Sequence, residues 1–282
     1  MPITSKDKKK LDRVLGVVLD DEELVITEVS WKGDHYELLT AGREPIKDNK
    51  LVDHGRIGDQ TGIILKFRQL MDKTGSDSIL ASINIPPMLM TIKNLESEKE
   101  LLETFPNWFK WEAEKHSISS TMDYKISWSP LRITTSEGED LYLLCSAPNS
   151  IITERINLLK ALDLSPLYVE PDPIIIYNAF IKTYPEPEIG NFLFIDVALP
   201  SLTLFATFSG RFVYGGTRLV QADYSELTKG TAPDTLFESL AKEIKDFSQE
   251  LFSAYGDFPQ NAAGIVVAGF YALSGKLKAT LQ

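Results

Sequence analysis

The sequence predicts an α/β protein of two similar lobes, with a smaller α+β segment inserted between the repeated units. Three observations carry that prediction. A run of three strands, one helix and one strand occurs near the start of the chain, and the same order returns from Asn191 onward. Between the copies lies a segment of strands and two helices. The Pro/Gly-punctuated stretch "TYPEPEIG" then reads as a hinge into the second copy.

In the first copy, "RVLGVVL", "ELVITEVSW" and "DHYELLTAG" are rich in Val, Ile, Leu and Tyr and read as consecutive strands. "KGD" after the second is a hairpin signal. "DQTGIILKFRQLMDKTG" has helical apolar spacing at Ile63, Ile64, Phe67, Leu70 and Met71, with Asp59 as its cap and Gly75 as its stop. "SILASINIP" follows as a buried strand. In the second copy, "NFLFIDVA", "LTLFATFSG" and "RFVYGGTRLV" are strands, with a turn at Ser209-Gly210. "DTLFESLAKEIKDFSQELFSAYG" is an amphipathic helix carrying Leu236, Phe237, Leu240, Ile244, Phe247 and Leu251 on one side, and "AGIVVAG" closes the unit. This order, used twice, is ribonuclease-H-like. Two such units facing each other form the actin and sugar-kinase architecture, with a ligand cleft between lobes.

The expected divisions are 11–84 for the first lobe, 85–169 for the insert, 170–189 for a helix and hinge, and 190–282 for the second lobe. Inside the insert, "LESEKELLETFPNWFKWEAEKH" is a helical stretch interrupted at Pro106, with Thr104 capping its second piece. "YKISWSPLRI" and "DLYLLCSAP" are strands, and "SIITERINLLKALDL" is a helix with Leu158, Leu159 and Leu162 on its apolar side.

A formal net charge of -11 argues against nucleic acid or anionic lipid as the main partner. The lone cysteine, Cys145, lies in an apolar run and reads as a core residue of a protein in a reducing cytoplasm. No apolar run approaches the roughly 18 residues that span a bilayer, and the opening "SKDKKK" reads as a solvated basic tail. His35, His54 and His116 have no partner at metal-ligand spacing, so no metal site is expected. Hydrolase, zincin and P-loop signatures are absent.

Beyond element order, the stretches "AGREPIKDNKLVDHGRI", "WEAEKHSISSTMDYKI" and "LLKALDLSPLYVEPDPIIIYNAF" resemble the type IV pilus assembly protein PilM family, relatives of the cell-division protein FtsA. The resemblance runs over nearly the whole chain. It implies a cytoplasmic, actin-like protein with an inserted subdomain in its first lobe. It also implies binding to the short N-terminal cytoplasmic tail of the membrane protein PilN. The family normally continues past its last motif with strands and a helix returning to the first lobe, whereas this chain stops at Gln282, so a naturally short or truncated second lobe is expected.

Many family members also bind ATP through three motifs, and this sequence departs from all three. The first is typically "GLDIGSSSIKAVEL". Laid on the chain, its first Gly falls on Gly16, its Asp on Val18, its second Gly on Asp20, and its serines on Asp21, Glu22 and Glu23. The second, typically "DIGASSTTL", keeps Asp196 and Ser201 but places Ala198 at its Gly and Pro200 at a serine. The third, a Gly-rich turn, keeps Gly269 but carries Phe270 and Tyr271 where small residues are expected. Phosphate loops work through free backbone N–H groups, and an acidic loop repels what they bind. One carboxylate ~5 Å from one phosphate charge costs about 3 kcal/mol at an effective dielectric of about 20, roughly two decades of affinity. Val18 cannot hold a hydrated metal, and Pro200 removes an N–H.

The expectation is therefore a vestigial cleft with no cofactor, in which ATP and Mg²⁺ binding is disfavoured and no residue is catalytic. The acidic run itself reads as a solvated hairpin tip, and Asp196 as a strand-end residue kept for hydrogen bonding. Phe105, Trp108, Phe109 and Trp111 form an aromatic cluster in which Trp108 and Trp111 share a face with Phe105 and Phe109 sits to one side. It reads as core packing or, from the family resemblance, as part of a partner-peptide groove lined by Ile85, Met88, Met90, Phe105, Trp108 and Trp111. The function expected is that of a noncatalytic cytoplasmic scaffold, held at the inner membrane by a PilN-like partner and other pilus-platform proteins. The alternatives are a working actin-like ATPase, the cytoplasmic domain of a general secretion pathway protein L and, more distantly, a sugar kinase.

Overall fold

Alternating burial along β1 (Arg13–Leu19) and β2 (Glu23–Lys32) sets the first sheet: Leu15, Val17, Leu19, Leu24 and Ile26 all point to one face. This computed structural model describes residues 12–32, 35–46, 50–97, 105, 107–116, 123–134, 138–184, 190–198, 201–208, 210–220, 234–252, 262–269, 277, 279 and 280. After β2 come β3 (His35–Pro45), the short pair β4 (Val52–Asp53) and β5 (Arg56–Ile57), α1 (Gln60–Thr74), β6 (Leu80–Ile85) and a 3₁₀ turn at Pro87–Leu89. Then follow β7 (Thr91–Ser97), α2 (Trp108–His116), β8 (Tyr124–Thr134), β9 (Asp140–Pro148), α3 (Asn149–Ala161) and β10 (Ser165–Pro171). The chain continues as α4 (Asp172–Thr183), β11 (Phe192–Ala198), β12 (Ser201–Phe208), β13 (Arg211–Leu219), α5 (Asp234–Phe252) and β14 (Gly264–Ala268).

The chain divides into two units, Met1–Leu89 with Pro148–Ile175, and Met90–Ala147 with Ile176–Gln282. The first holds a five-stranded sheet in the order β10-β6-β1-β2-β3. Its first three strands are antiparallel, and β6 and β10 run parallel to β1 and β6 respectively. α1 and α3 bury Ile63, Phe67, Leu70, Leu158 and Leu159 against the inward row of β1 and β2. Each such side chain contributes about 1.5–3 kcal/mol when fully buried. Both expected ends of α1 are present. The Asp59 side chain accepts from the Gly62 amide, and Gly75 closes the helix with φ 69°, which glycine tolerates best.

The insert is shorter than the 85–169 expected from the sequence. α3 and β10 belong to the first unit: β10 pairs with β6 from Ser165↔Leu80 to Pro171↔Ile85, and α3 packs into the first core. What remains, Met90–Ala147, groups with the second unit instead of the first lobe. There β7, β9 and β8 form a three-stranded sheet, and α2 packs Trp108, Phe109 and Ala113 on Leu95, Tyr142 and Leu144. The second unit's larger sheet has the order β13-β12-β11-β14, with β14 parallel to β11. This repeats the β3-β2-β1-β6 part of the first sheet. α5 covers it with Phe237, Leu240, Ile244, Phe247 and Phe252.

Candidate functional site: an acidic hairpin and its counterpart

Leu19 and Leu24 pair at the end of β1 and β2, so Asp20 to Glu23 make the tight turn. The Asp20 amide donates to the Glu23 carbonyl at 3.2 Å. The Asp20 carboxylate turns inward, and its Oδ1 accepts from the Glu22 and Glu23 amides, each at 2.8 Å. Asp21 Oδ1 accepts from the Gly55 amide at 3.1 Å. The expected solvated tip is therefore not what forms. Asp20, Asp21 and Glu22 are only partly exposed, and Glu23 is buried. The reason is tertiary. The loop carrying His54 and Gly55, both at positive φ, comes back over the turn, with Gly55 seated against Pro86 and Leu89.

Beneath that loop lies Arg155, fully buried on α3. Its Nη2 donates to the Gly55 carbonyl, while Nε and Nη1 find no hydrogen-bond partner among the described residues. Burial pulls its guanidinium below the usual range, opposed by the carboxylates of Glu154, Asp172, Asp21 and Asp20. On the other side of the turn, the buried Asn84 side chain accepts from the Leu19 amide at 2.9 Å, leaving its Nδ2 without a partner among the described residues. All four hairpin carboxyls are raised above their ordinary values, with burial the largest cause in each. Glu22 is pushed up to about 7 by burial and then by the charges of Asp20, Asp21 and Glu23. For Asp20 the two amide bonds act in the opposite direction.

Gly16 and Val18 lie on β1 behind this turn. An added Cβ at Gly16 meets only the Thr27 carbonyl at 3.6 Å, so no crowding requires glycine there. In the second unit the corresponding hairpin joins β11 to β12. Ala198 pairs with Ser201, whose hydroxyl donates to the Ala198 carbonyl at 2.7 Å. Pro200, Phe270 and Tyr271 lie outside the described residues. Asp196 is buried near the end of β11. Gly269, at φ 90°, closes on it so tightly that a Cβ would lie 2.4 Å from the Val197 carbonyl oxygen and 2.9 Å from Asp196 Oδ1. Here glycine is required.

The residues expected to line a peptide groove do not share one environment. Ile85 is buried in the first unit, and Trp108 is 7% exposed inside the insert core. Phe109, expected to sit to one side, is instead central: it stacks on Trp128 with centroids 4.1 Å apart and meets Tyr142 edge-on. Trp111 and Phe105 are the exposed members, at 49% and 40%, with Met88 and Met90 in between. Cys145 is half-buried, and burial pushes its thiol up to about 11. No group of three or more His, Cys, Asp or Glu among the described residues could hold a metal ion.

No protein-family model matches this chain, and no curated protein does. Solved structures do. The chain is similar to a protein of the PilM-PilN type IV pilus biogenesis complex, with a TM-score of 0.73 and 16% identity over 95% of this chain and 85% of that one. It is also similar to ethanolamine utilization protein EutJ from Carboxydothermus hydrogenoformans, with a TM-score of 0.53 and 11% identity over 95% and 82%. The fold is actin-like. Arg155 and Asn84 were not singled out from the sequence. Arg155 nonetheless falls on the apolar stripe Ile151, Leu158, Leu159 and Leu162 of its helix, and Asn84 interrupts the apolar run of β6. A polar residue at an inward position is the signal that could have found both.

Proposed function

We propose that this chain is a noncatalytic actin-like scaffold of a type IV pilus assembly complex, in which nucleotide binding has been lost. One observation carries the loss. The Glu22 and Glu23 amides, the donors a phosphate-binding turn offers to its ligand, are taken by Asp20, and the Gly55 amide by Asp21. A phosphate would have to displace two carboxylates from their amides and then sit among four of them. The likeness to a protein of the PilM-PilN complex supports the assignment to a pilus apparatus. The partner proposed is the N-terminal tail of a PilN-like membrane protein, a short disordered segment ordered by a few anchor contacts. Exposed Trp111 and Phe105, with Met90, are the proposed anchors on this side. The protein would then lie in the cytoplasm, peripheral to the inner membrane. No helix among the described residues is long and apolar enough to cross a membrane.

A retained ATP-binding function is the second reading, favoured by the buried Asp196 and the glycine closing on it. Calorimetric titration with Mg-ATP separates the two. The scaffold reading expects no heat at millimolar nucleotide, and micromolar binding overturns it. Capture of synthetic N-terminal tails from neighbouring membrane-protein genes tests the partner, with an intact circular dichroism spectrum as control. Failure to retain any tail counts against the scaffold.

A further inference from the structure

One end of the first unit's sheet carries aromatic side chains that its core does not use. Along β2, Leu24, Ile26 and Glu28 are buried on the side of α1 and α3, so Val29 and Trp31 face the other way. Tyr36 pairs with Trp31, and Leu38 pairs with Val29 two rungs away, which puts their side chains on that same outward face. Trp31 meets Tyr36 edge-on, with ring centroids 4.8 Å apart. The pair is nonetheless 57% and 48% exposed, and Leu38 is 63% exposed. Scattered exposed apolar residues need no explanation, whereas a contiguous group of them marks an interaction surface.

The same end of the sheet receives the most basic stretch of the chain. The Trp31 amide donates to the Asp12 carbonyl at 2.9 Å, and Arg13 pairs with Ser30, so Asp12 is fixed beside the aromatic pair. Lys8, Lys9 and Lys10 precede Asp12 by two to four residues, and chain geometry alone keeps their backbone within about 15 Å of it. Residues 6–13 hold five basic side chains against two acids, in a protein whose net charge is -11. Two acids at this end are engaged, Glu37 by Lys32 and Asp77 by Arg13. Arg13 is also bridged to Glu28, so the lysine run supplies the positive charge.

We propose that this end of the first unit touches an anionic lipid bilayer directly, with Trp31, Tyr36 and Leu38 entering the headgroup region and Lys6, Lys8, Lys9 and Lys10 meeting lipid phosphate. Trp and Tyr suit that boundary because each joins an apolar ring to a polar tip. Either signal alone binds a membrane weakly, and a basic run beside an apolar patch supplies both. The acidic remainder orients the molecule: an anionic surface draws in this end and repels the rest, so a protein of net negative charge docks in one pose. This contact is additional to the partner-mediated attachment proposed above and does not rest on it.

Flotation of the full chain with phosphatidylcholine vesicles containing about one-third phosphatidylglycerol tests the contact, with pure phosphatidylcholine vesicles and about 1 M salt as controls. The parent is expected to float with the anionic vesicles and to stay behind with neutral ones or at high salt. Replacing Lys8, Lys9 and Lys10 together by Gln is expected to weaken partitioning about 100-fold, and Leu38→Ser about tenfold. Trp31→Phe is expected to float but to lose the quenching of tryptophan emission by brominated lipid, because Trp108, Trp111 and Trp128 all lie in the insert. No flotation with anionic vesicles, equal flotation with neutral ones, unchanged partitioning of the triple Gln variant, or quenching that survives Trp31→Phe overturns the proposal. Should Leu38→Ser fail to fold, the quenching measurement decides by itself. The vesicles hold no protein, so the outcome is independent of the tail-capture experiment.

Discussion

Replacing Glu22 by Gln isolates one raised carboxyl of the hairpin. In the folded protein burial, helped by the charges of Asp20, Asp21 and Glu23, raises it from 4.5 to about 7. At pH values below 4.5 both folded and unfolded chains hold the proton, and the group costs nothing. Between 4.5 and 7 the unfolded chain releases a proton that the folded one keeps, so stability falls as pH rises; above 7 the full cost is present. At about 1.4 kcal/mol per tenfold, the displacement sets a ceiling of about 3 kcal/mol, and solvent reaching this part-exposed side chain lowers the expected value to about 2 kcal/mol. Gln has the same shape without the charge. Glu22→Gln should therefore match the parent within about 0.5 kcal/mol at pH 4.5 and exceed it by about 2 kcal/mol at pH 8. Urea unfolding followed by tryptophan fluorescence at the two pH values measures both. An equal change at both, or a loss of stability at pH 8, would refute the idea that crowded carboxyls strain this turn.

Two further substitutions probe the same region from other directions. Arg155→Met removes the fully buried cation facing Asp20, Asp21, Glu154 and Asp172, and should cost about 3–5 kcal/mol in chemical denaturation at neutral pH. A loss under 1 kcal/mol would mean that the cation does not hold the cluster together. Gly16→Ala and Gly269→Ala form a matched pair: the first adds a methyl at ordinary contact distance from the Thr27 carbonyl and should change stability by less than about 0.5 kcal/mol. The second puts a side chain at φ 90° against the Val197 carbonyl and should cost about 1–3 kcal/mol or more in the same assay, so equal effects would count against the close approach at Asp196.

Much of this fold was legible because its signals are local. The cap at Asp59, the stop at Gly75 and the alternation of β1 and β2 involve residues within a few positions of one another. The duplicated order of elements followed from them, and both sheets carry it. The insert was harder. "SIITERINLLKALDL" is an amphipathic helix wherever it packs, and only the pairing of β10 with β6 assigns it to the first unit. Within the aromatic cluster, which does pack Trp108 and Phe109 into a core, Phe109 was misplaced for a related reason. Helical spacing groups Trp108 with Trp111, but Trp128 and Tyr142 arrive from β8 and β9 and draw Phe109 inward.

The string Asp20 to Glu23 by itself determined that a phosphate would meet negative charge, since residue type sets charge wherever the turn lies. It did not determine that the turn is filled from within. That depends on Gly55 and Arg155, 34 and 134 residues beyond Asp21, closing over it and excluding the water that would otherwise solvate these carboxylates. Charge and periodicity are properties of the chain. Desolvation belongs to whichever distant segments the fold brings together, and only the tertiary structure decides it.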